Sequence, residues 1–295
     1  MNILKYLAFI KTVEYGSFTK ASEALNYSQS AISRMIGDLE KEWGVVLLER
    51  CKGGVVLTGD GYSMLPHAKA VCAEYDRLTQ KADELNGLRS GIIRIGTFSS
   101  VATHILPHVI KEFQKDYPGI DYELLLSDYT EIEGWLADGR VDLAFLILPT
   151  RPEFETIFMM DDYLKVVLPE SHPLAAYDRV PIEKICDYPF MLLEKGGRSE
   201  VKDFLDSRGI SPKVHFTTLD DYVITSMVES GLGISILPEL ILKRMPYRVV
   251  AKDLDVPAFR KIAVALRSTR TSSLAAKKFL EYLLPDGKKT DKIKR

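Results

Sequence analysis

The sequence predicts a chain in two parts, a mainly α winged helix-turn-helix unit followed by a larger α/β unit. Three observations carry this. Residues 17–41 hold two short amphipathic helical stretches separated by a break at Asn26-Tyr27. Two β-prone runs joined by a Lys-Gly-Gly turn come next. Beyond residue 90, strand-like and helix-like segments alternate in the order of a parallel α/β sheet.

The helix pair is legible from its punctuation. Ala21, Ala24 and Leu25 place apolar groups on one side of the first helix. Asn26 tolerates the left-handed conformation that ends helices, and Ser28 is a favourable N-cap for the next. Ile32, Ile36, Leu39 and Trp43 recur at spacings of four, three and four, which predicts one buried stripe. Gln29, Ser30, Ser33 and Arg34 fall on the other face, in the first turns, where a recognition helix meets base edges. Gln pairs with adenine and Arg with guanine in bidentate fashion, and serine lets the backbone approach closely. A plain surface hairpin with a polar outer face shows the same pattern.

Val45-Val46-Leu47-Leu48 and Val55-Val56-Leu57 then read as the strands of a small hairpin, a wing, with Cys51-Lys52-Gly53-Gly54 as its turn. This places Arg50 and Lys52 at the tip, positioned to hold phosphate beside the groove. Charge does not announce the same task. Residues 1–60 hold seven bases and seven acids, whereas a nucleic-acid-binding domain more often shows a basic excess. The acids gather toward the end of the second helix, away from its polar face. Weak non-specific affinity follows, which dimerisation offsets by doubling the contacts.

Composition bounds the rest. With 295 residues, 46% of them hydrophobic, the chain can bury more than one core. A net charge of −2 names no partner. No uncharged apolar run of about twenty residues exists, and the segment MNILKYLAFIKTVEYG has no cleavage signal. Its Ile3, Leu7, Ile10 and Val13 follow helical spacing instead, so a cytoplasmic protein is expected. Cys51, Cys72 and Cys186 lack metal-ligand spacing and suit a reducing compartment. From Gly61 to about Leu88 one long helix is predicted, interrupted only by Pro66 near its start. Leu65, Ala68, Cys72, Tyr75, Thr79 and Ala82 form a heptad-like seam along it, which favours pairing with a second copy over packing on its own domain.

Asn86-Gly87-Leu88-Arg89-Ser90-Gly91 reads as the boundary. After it, strands are expected at 92–98, 121–127, 141–148, 190–193, 215–218 and 234–237, with a crossing segment at 156–167. Helices are expected at 101–117, 131–138, 200–208, 220–229 and 274–284, and a disordered lysine-rich tail at 287–295.

The stretch GSFTKASEALNYSQSAISRMIGDLEKEWGVVLLER, with LTGDG after it, resembles the N-terminal domain of LysR-type transcriptional regulators. The later pieces RIGTFSS, LPHVIKEFQKDYPGI, LADGRVDLAF, LPESHPLA and SGLGISILP resemble the effector domain of the same family, itself similar to periplasmic binding proteins. The resemblance covers essentially the whole chain. It implies a winged helix-turn-helix DNA-binding domain at 1–60, a linker and dimerisation helix at 61–88, and an α/β periplasmic-binding-protein-like effector domain at 91–286. The last would have two subdomains, about 91–163 plus 267–286 and about 164–266, with a small-molecule cleft between them. It further implies that Gln29, Ser30, Ser33 and Arg34 read bases while Ser28, Arg50 and Lys52 hold backbone. Leu48 stands where the family usually has Phe, and Gly53 where many members have a second basic residue.

Topology and this resemblance together nominate cleft residues. Ser99 and Ser100 follow the first strand, at the edge where open α/β sheets bind ligands, and their hydroxyls with helix N–H groups suit a carboxylate or another anion. Ser127 and Asp128 end the second strand at that edge, and Thr217 and Thr218 end another. Arg198, in a Gly-Gly-Arg-Ser turn before a helix, can clamp an anion or pair with Glu194 or Glu200. The expected partners are promoter DNA, a small-molecule effector, further copies of the chain as dimer or tetramer, and RNA polymerase. An enzyme is not expected. His104 and His108 sit four apart but lack a third ligand, and no base–nucleophile pair, phosphate loop or cofactor motif appears. The rival reading is a cytoplasmic small-solute binding protein whose N-terminal domain is a protein-interaction module.

Overall fold

In the computed structural model, residues 2–52, 54–85, 90–194, 197 and 199–284 are described. The chain divides into two compact units, residues 1–87 with 138–140, and residues 88–137 with 141–295.

The first unit orders α1 (Ile3–Tyr15), α2 (Phe18–Leu25), α3 (Gln29–Trp43), β1 (Leu48–Cys51), β2 (Gly54–Leu57) and α4 (Gly59–Leu85). Side-chain caps start the first three helices. Asn2 accepts from the Leu4 N–H, Ser17 from Lys20 and Ser28 from Ala31. Gly16, Asn26 and Gly44 end them in the left-handed region, at φ 59°, 55° and 72°. Phe9, Ala8, Ala21, Ile32, Ile36, Leu39, Leu47 and Ala68 form the buried core, and the Tyr6 and Trp43 rings meet edge to face at 5.6 Å.

Four readings shift in this unit. In α1 the buried residues are Tyr6, Ala8, Phe9 and Thr12, while Ile3, Leu7, Ile10 and Val13 are only half-buried. Ala24 is exposed, leaving Ala21 as the buried apolar residue of α2. The first wing strand is Leu48–Cys51 rather than the apolar run from Val45, because the Glu40 carboxylate accepts from the Leu47 and Leu48 N–H groups at 2.8 and 3.3 Å. That bond holds the segment to the end of α3 and delays the hairpin. Finally, the first half of the α4 seam is used within the chain. Ala68 is buried, and Leu65 and Cys72 pack beside it, whereas Tyr75 and Leu78 are exposed.

The second unit orders β3 (Gly91–Thr97), α5 (Ser99–His104), α6 (Leu106–Asp116), β4 (Ile120–Leu126), α7 (Tyr129–Asp138), β5 (Leu143–Ile147) and β6 (Glu155–Pro169). After β6 come a 3-10 turn at Pro173–Ala176, β7 (Arg179–Val180), a second 3-10 turn at Ile182–Asp187 and β8 (Phe190–Leu193). Then follow α8 (Glu200–Asp206), β9 (Val214–Thr218), α9 (Asp221–Glu229), β10 (Ile234–Pro238), α10 (Glu239–Leu242), β11 (Val249–Leu254), β12 (Phe259–Leu266) and α11 (Leu274–Leu283). The main sheet runs β4-β3-β5-β12-β6-β10-β8-β9. β3 pairs in parallel with β4 and β5, and β8 with β9 and β10. The long strands β6 and β12 are antiparallel to each other and join the two parallel halves.

Each half has its own core. In the first, Phe113 stacks on Tyr117 and meets Phe279 and Tyr282 edge to face. In the second, Phe190, Ile234, Ile236 and Val166 are fully buried. Two expectations are corrected here. The helix expected at 101–117 is broken at Ile105 into α5 and α6, with Pro107 in the first turn of α6. β12 belongs with the first half, not the second, because it pairs with β5 along Ala144–Ile147 and buries Ile262, Val264 and Leu266 in that core. The return crossing therefore lies at Phe259, earlier than residue 267. The boundary at 86–89 and the tail at 287–295 fall outside the described residues.

Close approach at Gly61 supplies a test of the first unit. A Cβ there would lie 2.1 Å from the Leu47 carbonyl oxygen, while one at Gly59, two residues earlier in α4, would meet nothing within 4 Å. Gly61→Ala should lower the unfolding free energy by about 1–3 kcal/mol in urea titration, whereas Gly59→Ala should leave it unchanged or raise it by less than about 1 kcal/mol.

Candidate nucleic-acid and effector sites

The N-terminal site is a helix face. The buried stripe Ile32, Ile36 and Leu39 fixes how α3 is rotated, and so fixes what its other side shows. Gln29, Ser30 and Arg34 are exposed there, and Ser33 is half-buried beside them. The side chains of Gln29 and Arg34 have no hydrogen-bond partner among the described residues, so their donors are available to a ligand. Ser28 is engaged as the cap, accepting from the Ala31 N–H at 3.2 Å, and its hydroxyl lies 3.0 Å from that of Ser30. Arg50 is not at the wing tip. It lies within β1 opposite Val55, with its guanidinium 5.0 Å from the centroid of the Phe18 ring. Lys52 is exposed in the turn.

The second site is the seam between the two halves of the α/β unit, and its centre is a buried ion cluster. Arg260 of β12 is 4% exposed. Its Nε donates to Asp162 of β6 at 2.8 Å, and its Nη2 lies 2.8 Å from the same carboxylate oxygen. Nη2 also donates to the Ser100 hydroxyl at 3.0 Å, and Nη1 to the Tyr129 hydroxyl at 2.9 Å and to Glu200 at 2.7 Å. The Tyr129 hydroxyl donates to Glu200 at 3.1 Å, and the Leu240 N–H donates to the other oxygen of Asp162 at 2.9 Å. Phe98 covers the guanidinium at 5.2 Å. Burial opposes the charge on Arg260, but Tyr129, Glu200 and Asp162 outweigh it and raise its pKa. Burial likewise pushes the Tyr129 phenol well above its ordinary range, with Arg260 opposing and Glu200 adding to the rise.

The nominated cleft residues are only partly gathered at this point. Ser100 is buried in the cluster, and the Ser99 hydroxyl donates across the seam to Asp221 of α9 at 2.9 Å. Asp128 instead starts α7, accepting from the Glu131 N–H at 2.9 Å, and the Ser127 hydroxyl donates to the Glu131 carboxylate. Thr218 accepts from the Asp220 N–H at 3.3 Å. Arg198 lies outside the described residues. The serines thus face a guanidinium and a carboxylate of the chain itself. Arg260, Asp162, Tyr129 and Asp221 were not anticipated from the sequence, and Glu200 was anticipated only as a partner of Arg198. A signal existed for two of them, since Arg260 and Asp162 interrupt apolar strand runs, where a charge is costly unless paired.

Together these features define a helix-turn-helix protein carrying a two-lobed α/β ligand module. Residues 4–62 match the family described as bacterial regulatory helix-turn-helix protein, lysR family, and residues 86–287 match the LysR substrate binding domain. The uncharacterized HTH-type transcriptional regulator YvbU of Bacillus subtilis is 34% identical over 284 residues, covering 95% of this chain and 97% of that protein. The probable HTH-type transcriptional regulator LrrA of Synechococcus elongatus is 33% identical, covering 96% of each. Full-length CbnR, solved in complex with its target DNA, has a TM-score of 0.70 at 21% identity, covering 96% of this chain and 99% of that one. That last likeness concerns the fold. The chain belongs to the LysR family of DNA-binding transcriptional regulators and carries the family's effector-binding domain.

Removing the guanidinium leaves Asp162 and Glu200 without their countercharge in a buried site. Arg260→Ala should lower the unfolding free energy of the α/β unit by about 3–5 kcal/mol in guanidinium chloride titration monitored by tyrosine fluorescence and circular dichroism. A loss below about 1 kcal/mol would show that the cluster does not hold the seam.

Proposed function

We propose that the protein binds promoter DNA as a homo-oligomer and changes its grip when a small molecule enters the seam of the α/β unit. In this reading α3 enters the major groove, with Gln29, Ser30, Ser33 and Arg34 toward base edges. Ser28, Arg50 and Lys52 bear on the phosphate backbone, Arg50 from the wing strand rather than from its tip. The observation that carries the reading is the α3 face itself, which presents unengaged amide and guanidinium donors opposite a fully buried stripe. With no basic excess in residues 1–60, affinity depends on two copies acting together.

Residues 1–60 serve as the DNA-binding domain, 61–88 as the linker and dimerisation helix, and 91–286 as the effector domain. Pairing uses the second half of α4, where Tyr75 and Leu78 are 48% and 68% exposed. A further contact between copies involves the two ends of the main sheet. Leu124 and Leu126 on β4, and Val214 and Phe216 on β9, leave apolar groups on edge strands. These exposed surfaces favour an oligomer, and the helix-turn-helix match over residues 4–62 disfavours the rival reading of a small-solute binding protein whose N-terminal domain is a protein-interaction module. In this reading Ser99 and Ser100 border the effector cleft, and the ligand acts through its different affinity for open and closed seams. The change in spacing between copies then alters DNA bending and access by RNA polymerase.

Arg34→Ala tests the reading directly. In an electrophoretic shift assay on the DNA upstream of its own gene, it should weaken specific binding about ten- to a hundredfold without changing the melting temperature. Wild-type affinity in that variant would remove α3 as the reading helix.

A further inference from the structure

On another part of the α/β unit, a cavity of about 450 Å³ opens where α5 and α6 meet the end of α10. Thr103, His104, Pro107, His108, Lys243 and Arg244 line it. None of these is among the seam residues. Four of the six side chains can carry positive charge, and no carboxylate lines the cavity. The nearby acids are committed elsewhere. Glu112, one turn along α6 from His108, pairs with Lys115 at 2.6 Å, and Glu239 of α10 faces Lys165 at 3.9 Å. The side chains of His104, His108, Lys243 and Arg244 make no hydrogen bond or ion pair with another described residue.

Like charges drawn toward one concavity repel, and the effect is visible on His104, whose pKa is lowered by burial and then by Arg244 and Lys243. Arginine, lysine and two imidazoles around one space match a multiply charged tetrahedral oxyanion better than a single carboxylate, which offers fewer acceptor oxygens and less charge.

We propose that this cavity is a binding site for the phosphate group of a small phosphorylated metabolite. It joins α5 and α6 of the first half to the end of α10, and α10 follows directly on β10 of the second half. An anion held there would bridge the two halves and favour their present approach. This would be a second input to the effector module, separate from any ligand of the seam.

Calorimetric titration of the full chain at fixed ionic strength tests this, with glycerol phosphate, inorganic phosphate and acetate as probes. Arg244 sits in the left-handed region at φ 61°, so Arg244→Gly removes the charge while suiting the backbone. Lys243→Gln removes the other fixed cation at an exposed position. Glycerol phosphate should bind the wild type and bind each variant about tenfold more weakly, with acetate giving no saturable heat. Tighter binding of glycerol phosphate than of inorganic phosphate assigns the site to an ester, and equal binding assigns it to the free anion. Thermal melts confirm that the variants are folded. The proposal fails if neither phosphate compound binds, or if both bind the Arg244→Gly and Lys243→Gln variants as they bind the wild type.

Discussion

One guanidinium organises the ligand module. Arg260 sits on a strand that crosses between the halves, and burying its charge there is tolerable only because its donors are matched on every side. Asp162 holds it from the neighbouring crossing strand, Ser100 and Tyr129 from the first half, and Glu200 from α8 of the second. Asp162 in turn fixes the start of α10 through the Leu240 N–H. The apolar cores lie mainly within each half, with Leu240 of α10 reaching into the core of the first, and the polar contacts add a matched link where the halves meet. A ligand for the seam must therefore compete with, or insert beside, groups that already satisfy one another.

The DNA-binding unit rests on a different kind of constraint. The exposed polar face of α3 is defined by what lies behind it, because Ile32, Ile36 and Leu39 allow the helix only one rotation about its axis. Glu40 then couples the far end of that helix to the wing by accepting two backbone N–H groups. This acid, which counts against nucleic-acid affinity in a charge tally, has a structural task on the side away from the polar face. The balance of seven bases and seven acids is thus compatible with a surface that offers donors where α3 is exposed.

Legibility from the sequence followed the range of the interactions involved. The helix-turn-helix was readable because the cap at Ser28 and the left-handed Asn26 are local signals. The alternation of strands and helices after residue 90 was readable for the same reason. Errors arose where distant residues overrule local pattern. The run from Val45 looks like a strand, but a hydrogen bond from seven residues away holds it. The seam on α4 looks uniform, yet its first half is taken by the unit's own core. β12 was assigned to the wrong half because strand pairing with β5, more than a hundred residues earlier, carries no local mark. Ser99 and Ser100 were nominated from their place after the first strand. Their partners Asp221 and Arg260 were not, because a charge within a strand reveals that it must be paired but not with what.

The most direct test of this account is hydrogen–deuterium exchange on Glu200→Ala, which removes the contact from α8 to the guanidinium while leaving Arg260 and Asp162 paired. The account predicts faster exchange in α8 and in the first turns of α5 and α7, with the pairing of β12 and β6 still protected. Exchange in α8 indistinguishable from the wild type would contradict it, showing that the two halves are held together by something other than this cluster.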